Sequence, residues 1–465
     1  MIRLQQAIGW VPSARLVGDG QVMPMRVHTD TRTLQPGDLF VALKGEQFDA
    51  HAFLAQAKVQ GAVAAIAQHG LAEAGLPGLE VADAKLALGQ LAAGWRSQFS
   101  LPLIAVTGSN GKTTVTQMSA AILRAWKPDA AFATEGNLNN DIGVPLTLLR
   151  LRDLHQMGVI ELGMNHPGEI AYLAAMVKPK VALVNNAQRE HLEFMATVKA
   201  VALENGAVLA SLDANGIAVF PADDEYAAVW HAQAGQRQVV TFALTGPADV
   251  TANASWHDGR WQVNACTPSG PLEFALHIAG RHNVKNALAA IACTLSAGVP
   301  LDAIAAGLTA FVPVKGRSRA IAVRLQHRVL ALIDDTYNAN PDSMQAAIEL
   351  LAELPTPRLL VMGDMGEVGN QGPEFHAEAG RTAHALGIEK IFTLGQQSQG
   401  ASAAHGKGSH FNSMAELAAA VVAELPHAAS VLVKGSRFMR MEQIVQAVMA
   451  AGDQMQHDKK EPHAA

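Results

Sequence analysis

Cysteine is scarce in this chain: 465 residues carry only Cys266 and Cys293. The two stand in unrelated contexts without metal-type spacing, which argues against a disulfide framework and points to a reducing compartment. No apolar run approaches the roughly 20 residues that a membrane-spanning helix requires, so an integral membrane protein is not expected. The opening Met1-Ile2-Arg3-Leu4-Gln5-Gln6 lacks the apolar core of a signal peptide, and a cytoplasmic location is the expectation. The net charge is −6 and no basic stripe occurs, so no nucleic-acid partner is expected. A dinucleotide Gly-x-Gly-x-x-Gly is missing as well, which disfavours an NAD domain. What is present is the composition of an ordinary globular protein, 49% hydrophobic and 16% charged, with length for about three domains.

The most informative stretch is Thr107-Gly108-Ser109-Asn110-Gly111-Lys112-Thr113-Thr114. It follows the apolar run Leu103-Ile104-Ala105-Val106, which reads as a buried strand, and precedes an amphipathic helical pattern from Val115 to Leu123. Strand, glycine loop, Lys-Thr and helix together make a phosphate site. Glycines turn backbone N–H groups onto phosphate oxygens, and the helix N-terminus adds a favourable field. Lys112 is expected to neutralise phosphate charge and Thr113 to put its hydroxyl on Mg²⁺. Val106 stands where the general pattern has its first glycine. Binding of a nucleoside triphosphate, ATP, is the expectation.

Residues 1–83 read as a small α/β unit, 84–313 as a nucleotide-binding core, and 314–465 as alternating strands and helices in a doubly wound sheet. In the first unit, Arg32, Lys44 and His51 could meet an anionic ligand, or be ordinary solvated charges beside turns. In the second, Asn137, Asn139 and Asn140 lie in a loop that could bind a polar ligand or cap itself. Glu161 ends an apolar strand, where it is either an Mg²⁺ ligand or a surface carboxylate. His191 follows the strand Val181 to Val184 and could meet a metal or a phosphate. Asn283 and Asn286, three apart at a helix start, could hold a base edge or cap the helix. The segment 248–276 is β-rich without a readable topology. The third unit places Asp334-Asp335, Gly363-Asp364 and Lys434-Gly435 at strand ends, where such sheets bind ligands. The tail from Gly452 to Ala465 is polar and expected to be disordered.

Several stretches together resemble the Mur ligases, the ATP-dependent amide ligases of peptidoglycan synthesis. They are Thr107 to Thr114, Asp30-Thr31-Arg32 with Gly37-Asp38-Leu39-Phe40, Gly136 to Asn140, Asp335 to Ser343, Gly363 to Glu367, and Val433 to Arg437. The resemblance implies three α/β domains: an N-terminal uridine-nucleotide domain, a central P-loop ATPase domain and a C-terminal Rossmann-like domain. It points to the branch that joins D-alanyl-D-alanine to UDP-N-acetylmuramoyl-tripeptide through an acyl phosphate, consuming ATP. A monomer is expected.

The resemblance also implies roles. Gly108, Ser109, Asn110, Gly111, Lys112, Thr113 and Thr114 would cradle the phosphates, and Lys112, Glu161 and His191 would form the catalytic set. Thr113 and Glu161 would share one Mg²⁺ and His191 would help hold a second. Asn283 and Asn286 would face adenine, Arg317 would reach the phosphates, and Asp335 and Asn338 would meet ribose or phosphate. Asn137, Asn139 and Asn140 would contact the muramyl substrate, Thr31 and Arg32 its uridine end, and Lys434 and Arg437 would border the dipeptide.

One departure stands out. A lysine that is carbamylated in much of the family, helping to hold the second Mg²⁺, falls here on Asn205. Lys199, six residues before it, points about 120° away on a helix. Asn205 is therefore expected to meet the metal by its amide oxygen or through water. The rival readings are a ligase adding a single amino acid, of Mur or folate-glutamate type, a P-loop kinase, or a nucleotide-gated binding protein. No Asp-Asn-Pro-Arg motif of the diaminopimelate-adding branch occurs.

Overall fold

The structure, a computed structural model, describes residues 2–45, 48–257, 259–326 and 328–457. Its strands form three sheets that follow one another along the chain. The first has five strands, in the order Arg15–Val17, Gly78–Glu80, Ala64–Ala67, Asp38–Val41 and Arg26–His28, all parallel but the first. Its central strands are short and buried on both faces, which explains their unbroken apolar sequence. The helix Ala84–Arg96, N-capped by Asp83, leads out of this sheet. Its last residue, Arg96, is buried and donates to the carbonyls of Val177, Phe99 and Leu101, tying the helix to the next layer.

The second sheet has nine strands. Leu103–Thr107 lies inside it, between Val181–Val184 and Met157–Glu161, all three parallel and fully buried. Ala131–Ala133 forms one edge. On the other side come Ile217–Pro221 and Gln238–Ala243, then an antiparallel meander of Val250–His257, Arg260–Thr267 and Gly270–Leu276. The meander resolves the segment whose topology the sequence left open. Trp261, Val263 and Ala265 alternate inward along its middle strand and pack in one core with the helix Arg281–Ser296.

The third sheet has six strands, with Arg328–Asp335, Ser430–Lys434 and Arg358–Gly363 as parallel neighbours at its centre. A helix at Gln399–His405 and an edge strand at Gly408–Phe411 were too short to be read from periodicity. The expectation of a disordered tail from Gly452 is corrected: the last helix runs from Glu442 to His457, because Ile444, Val445, Val448 and Ala451 cover the third sheet's core. Residues 458–465 lie outside the described residues.

The helix Lys112–Trp126, which opens at the P-loop, is clamped by the helix Leu301–Thr309. Contact is so close that a Cβ on Gly307 would stand 2.3 Å from the Ile122 Cα. Gly307→Ala is therefore expected to overpack this crossing and destabilise the protein by about 1–3 kcal/mol. The shift in denaturant midpoint at unchanged slope would measure it.

Candidate active site

Strands of the second and third sheets end in a shared cleft of about 620 Å³. From the second sheet, Thr107 ends one strand, Glu161 its neighbour, and Asn185 follows Val184 on the other side. The chain enters these neighbours from opposite directions, and the crevice that results is where open parallel sheets bind ligands. From the third sheet come Asp335 and Lys434, paired in register at the ends of adjacent strands.

The P-loop backbone is held by amide side chains. Gly108 has φ +130°, and a Cβ there would stand 3.0 Å from the backbone nitrogens of Asn185 and Asn186, so only glycine fits. The Asn205 Oδ1 accepts from the Thr107 hydroxyl at 2.7 Å and from the Gly108 N–H at 3.1 Å. Asn186 Oδ1 accepts from the Asn110 N–H, and the side-chain nitrogens of Asn185 and Asn186 both donate to the Asn110 carbonyl. Lys112 Nζ donates to the carbonyls of Gly108 and Ser109 and pairs with Glu190 at 3.0 Å. Thr113, Thr114 and Ser109 are buried in the cleft wall.

The expectation that Asn205 meets a metal directly, by its amide oxygen, is thus corrected. A backbone N–H can only donate, so the oxygen must face Gly108 and has no lone pair to spare beyond Thr107. The remaining amide nitrogen cannot ligate a cation; it is buried without a partner among the described residues, which leaves contact through water as the other arm of that expectation.

Glu161 fits a cation better. It is buried, its Oε1 accepts from the Thr113 hydroxyl at 3.1 Å and from Asn139 Nδ2 at 2.7 Å, and its Oε2 has no partner among the described residues. A buried carboxylate oxygen left unpaired beside a phosphate loop suits a hard divalent ion. Arg317 arrives from the segment joining the second and third sheets and donates from Nη2 to Thr113 Oγ1 at 3.0 Å. Its guanidinium lies 3.9 Å over the Tyr337 ring, which holds the charge in the cleft.

His191 lines the cleft in a left-handed conformation, φ +50°. Its Nε2 is 3.5 Å from Glu190, and its Nδ1 is 2.6 Å from Glu367 although off the line of a good hydrogen bond. The contact with His191 nevertheless brings the Glu367 carboxyl below its usual pKa. Asn283 and Asn286 are buried and chained: Asn286 donates to Asn283, and Asn185 donates to Asn286. They extend the amide network that supports the P-loop.

The third sheet contributes a buried ion pair. Lys434 Nζ is 2.6 Å from Asp335 Oδ2 and donates to the Asn338 carbonyl at 2.9 Å, while Asp335 Oδ1 accepts from the Ser318 N–H. Asn338 and Arg437 also line the cleft. Contacts between the two sheets are direct: Asn110 and Asn340 exchange amide hydrogen bonds at 3.0 and 3.2 Å, and Arg189 pairs with both Asp342 and Glu378.

Of the expected substrate residues, Asn137, Asn139 and Asn140 line the cleft. Asn139 is engaged by Glu161, and Asn140 Oδ1 accepts from Gly143 N–H, so the loop is partly self-capped. Thr31 and Arg32 lie apart, in a short turn of the first unit, where Arg32 pairs with Asp30 and lowers its carboxyl to about 2. His51 is not free for an anion: Nδ1 faces Asp49 at 2.6 Å and Nε2 accepts from the Gln68 N–H. Lys44 sits beside the same carboxylate, 3.9 Å away. Sequence reasoning missed Glu190, Asn185, Asn186 and Tyr337. The run Arg189-Glu190-His191 at a strand end carried a signal for the first, but nothing local marks the other three.

Two outcomes follow from these contacts. Asn205→Ala would leave the Gly108 N–H and Thr107 hydroxyl unpaired, costing about 1–3 kcal/mol. We expect ATP affinity to fall about 5- to 160-fold for a loss of that size, with the Mg²⁺ dependence at saturating ATP unchanged; titrations of each would check this. The second concerns pH. Burial pushes the Asp335 carboxyl up, but Lys434 and the Ser318 N–H outweigh it and hold the pKa below its usual value. Its stabilisation is then fully present above the ordinary carboxylate pKa and lost as pH falls through the lower folded value. Asp335→Asn should destabilise by about 3–5 kcal/mol at neutral pH, leaving Lys434 buried and unpaired. In urea unfolding, the gap to the parent protein should narrow as the medium is acidified through that range.

Comparison with known proteins agrees with this geometry. Three family models match: the Mur ligase family catalytic domain over residues 26–96, the Mur ligase middle domain over 106–294, and the Mur ligase glutamate ligase domain over 316–437. The UDP-N-acetylmuramoyl-tripeptide–D-alanyl-D-alanine ligase of Escherichia coli is 44% identical over 92% of this chain and 94% of its own. That of Haemophilus influenzae is 38% identical over 96% and 98%. Among solved structures, MurF from Acinetobacter baumannii superposes with a TM-score of 0.89 at 36% identity, covering 96% of this chain and 98% of that one. The MurF ligase of Thermotoga maritima in complex with ADP gives 0.82 at 25% identity, covering 92% and 98%. With relatives this similar along nearly the whole chain and a phosphate loop facing a second sheet across one cleft, the chain belongs to the Mur ligase family.

Proposed function

We propose that this chain is the ATP-dependent ligase that joins D-alanyl-D-alanine to UDP-N-acetylmuramoyl-tripeptide, forming UDP-N-acetylmuramoyl-pentapeptide, ADP and phosphate in peptidoglycan precursor synthesis. The relatives' names support the substrates. The observation that carries the chemistry is Glu161, with one buried oxygen unpartnered beside the P-loop threonine that Arg317 also reaches. No helix among the described residues is long and apolar enough to cross a membrane.

The tripeptide carboxylate attacks the terminal phosphorus of ATP, the bond to ADP breaks, and the dipeptide amine then displaces phosphate from the acyl phosphate. Anion meets anion in the first step, so positive charge must be concentrated there. Lys112 provides it once a triphosphate takes it from Glu190, and Arg317 adds a second cation over the same phosphates. Thr113 and Glu161 would hold Mg²⁺, which supplies further charge neutralisation when bound, and His191 would help hold a second ion. Gly108 to Thr114 wrap the phosphates, Asn283 and Asn286 face adenine, and Asp335 and Asn338 meet ribose or phosphate. Asn137, Asn139 and Asn140 hold the muramyl part and Thr31 and Arg32 the uridine end. Lys434 and Arg437 border the dipeptide. The work divides between domains at 1–83, 84–313 and 314–465.

Phosphate release from ATP, with the product followed by mass spectrometry, tests this. Release should require both the tripeptide nucleotide and D-alanyl-D-alanine and should yield the pentapeptide. Turnover with a single amino acid instead would place the chain in another branch, and ATP binding without acceptor-dependent turnover would refute the ligase. Lys112→Ala should slow the rate at least about 100-fold.

A further inference from the structure

A second cavity, of about 410 Å³, opens along the edge strand Ala131–Ala133 of the second sheet. It runs beside the P-loop helix from Thr113, which also lines the main cleft, to Arg124 in that helix's last turn. Opposite lie Arg150 and His155. The Arg150 guanidinium stacks 5.4 Å from the Phe132 ring centre, and its Nη2 donates to Glu135 at 2.7 Å. Its Nη1 is buried and has no partner among the described residues. His155 Nδ1 accepts from the Arg152 N–H at 3.0 Å, so in the neutral ring the proton sits on Nε2, a further donor. The ring packs on the same Phe132. Among the described residues Glu135 is the one carboxylate lining the cavity, and its side chain is 74% exposed, so solvent screens its pairing with Arg150.

Arg124 and Arg150, with His155 beside them, make this lining cationic and suit it to a compact oxyanion. The volume exceeds one tetrahedral ion, leaving room for its bridging waters. The location has a further meaning. With ADP on the P-loop and the amide product along Asn137 to Asn140, the cleaved phosphate would start between them, beside Thr113. Thr113 forms part of the wall between it and the second cavity.

We propose that this cavity is a second oxyanion site that binds inorganic phosphate while nucleotide occupies the P-loop, with Arg150 and Arg124 as its cationic ligands. That the ion is the one cleaved from ATP rests on the ligase reading; the binding site itself does not.

Inorganic phosphate titrated into the full chain saturated with ADP and Mg²⁺, followed by calorimetry or phosphorus NMR, decides the first point. One saturable phosphate per chain is expected, weakened at least tenfold in Arg150→Ala and in Arg124→Ala, and unchanged in Lys112→Ala. Arg124 is exposed, so its variant keeps the test available if Arg150→Ala folds poorly; unchanged ADP affinity certifies either one. No binding with ADP in place, or binding lost in Lys112→Ala alone, would overturn the site. The second point is read in a single turnover with a fluorescent phosphate sensor. Free phosphate should lag amide formation in the parent protein and not in Arg150→Ala; identical traces would mean that the site takes phosphate from solution only. If acceptor-dependent turnover is absent, the ligase reading fails while the titration still judges the site.

Discussion

The P-loop can face a triphosphate only because its backbone is held open by amides from elsewhere in the chain. A loop of glycines has no intrinsic reason to keep its N–H groups pointing inward. Here Asn205 pins its start, Asn185 and Asn186 hold its middle, and Asn286 backs Asn185. Amides suit this task because each side chain offers both a donor and an acceptor without adding charge. A carboxylate in the same place would repel the ligand. Among the described residues the carboxylate that touches the loop lysine is Glu190, which meets Lys112 Nζ, where an incoming phosphate can replace it.

From this anchored loop the rest of the site is built by apposition. The second sheet brings Thr113 and Glu161 together, and the third brings Asp335 and Lys434 to the facing wall. Arg317 links them from the junction, while Arg189 and the Asn110–Asn340 pair join the two sheets. These contacts are polar and partly buried, and they hold the two sheets in register across the cleft. Reactants that repel one another are thus enclosed between walls whose cations are fixed before they arrive.

The sequence by itself determined the alternation of strands and helices, the phosphate loop and the residues at strand ends, because these depend on local periodicity and on glycine and lysine at short spacing. It showed Glu161 at the end of its strand, but not the unpaired oxygen that makes it a fit for a cation. The family resemblance put Asn205 where a metal-holding lysine is expected. The fold turns that amide's oxygen under the loop, because Gly108 offers an N–H that only an acceptor can satisfy. Only tertiary structure decided the register of the meander, the crossing at Gly307, the pairing of Lys112 with Glu190 and of Arg150 with the second cavity. Each joins residues far apart in the chain, and no short-range pattern encodes which distant partner will satisfy a buried charge or donor.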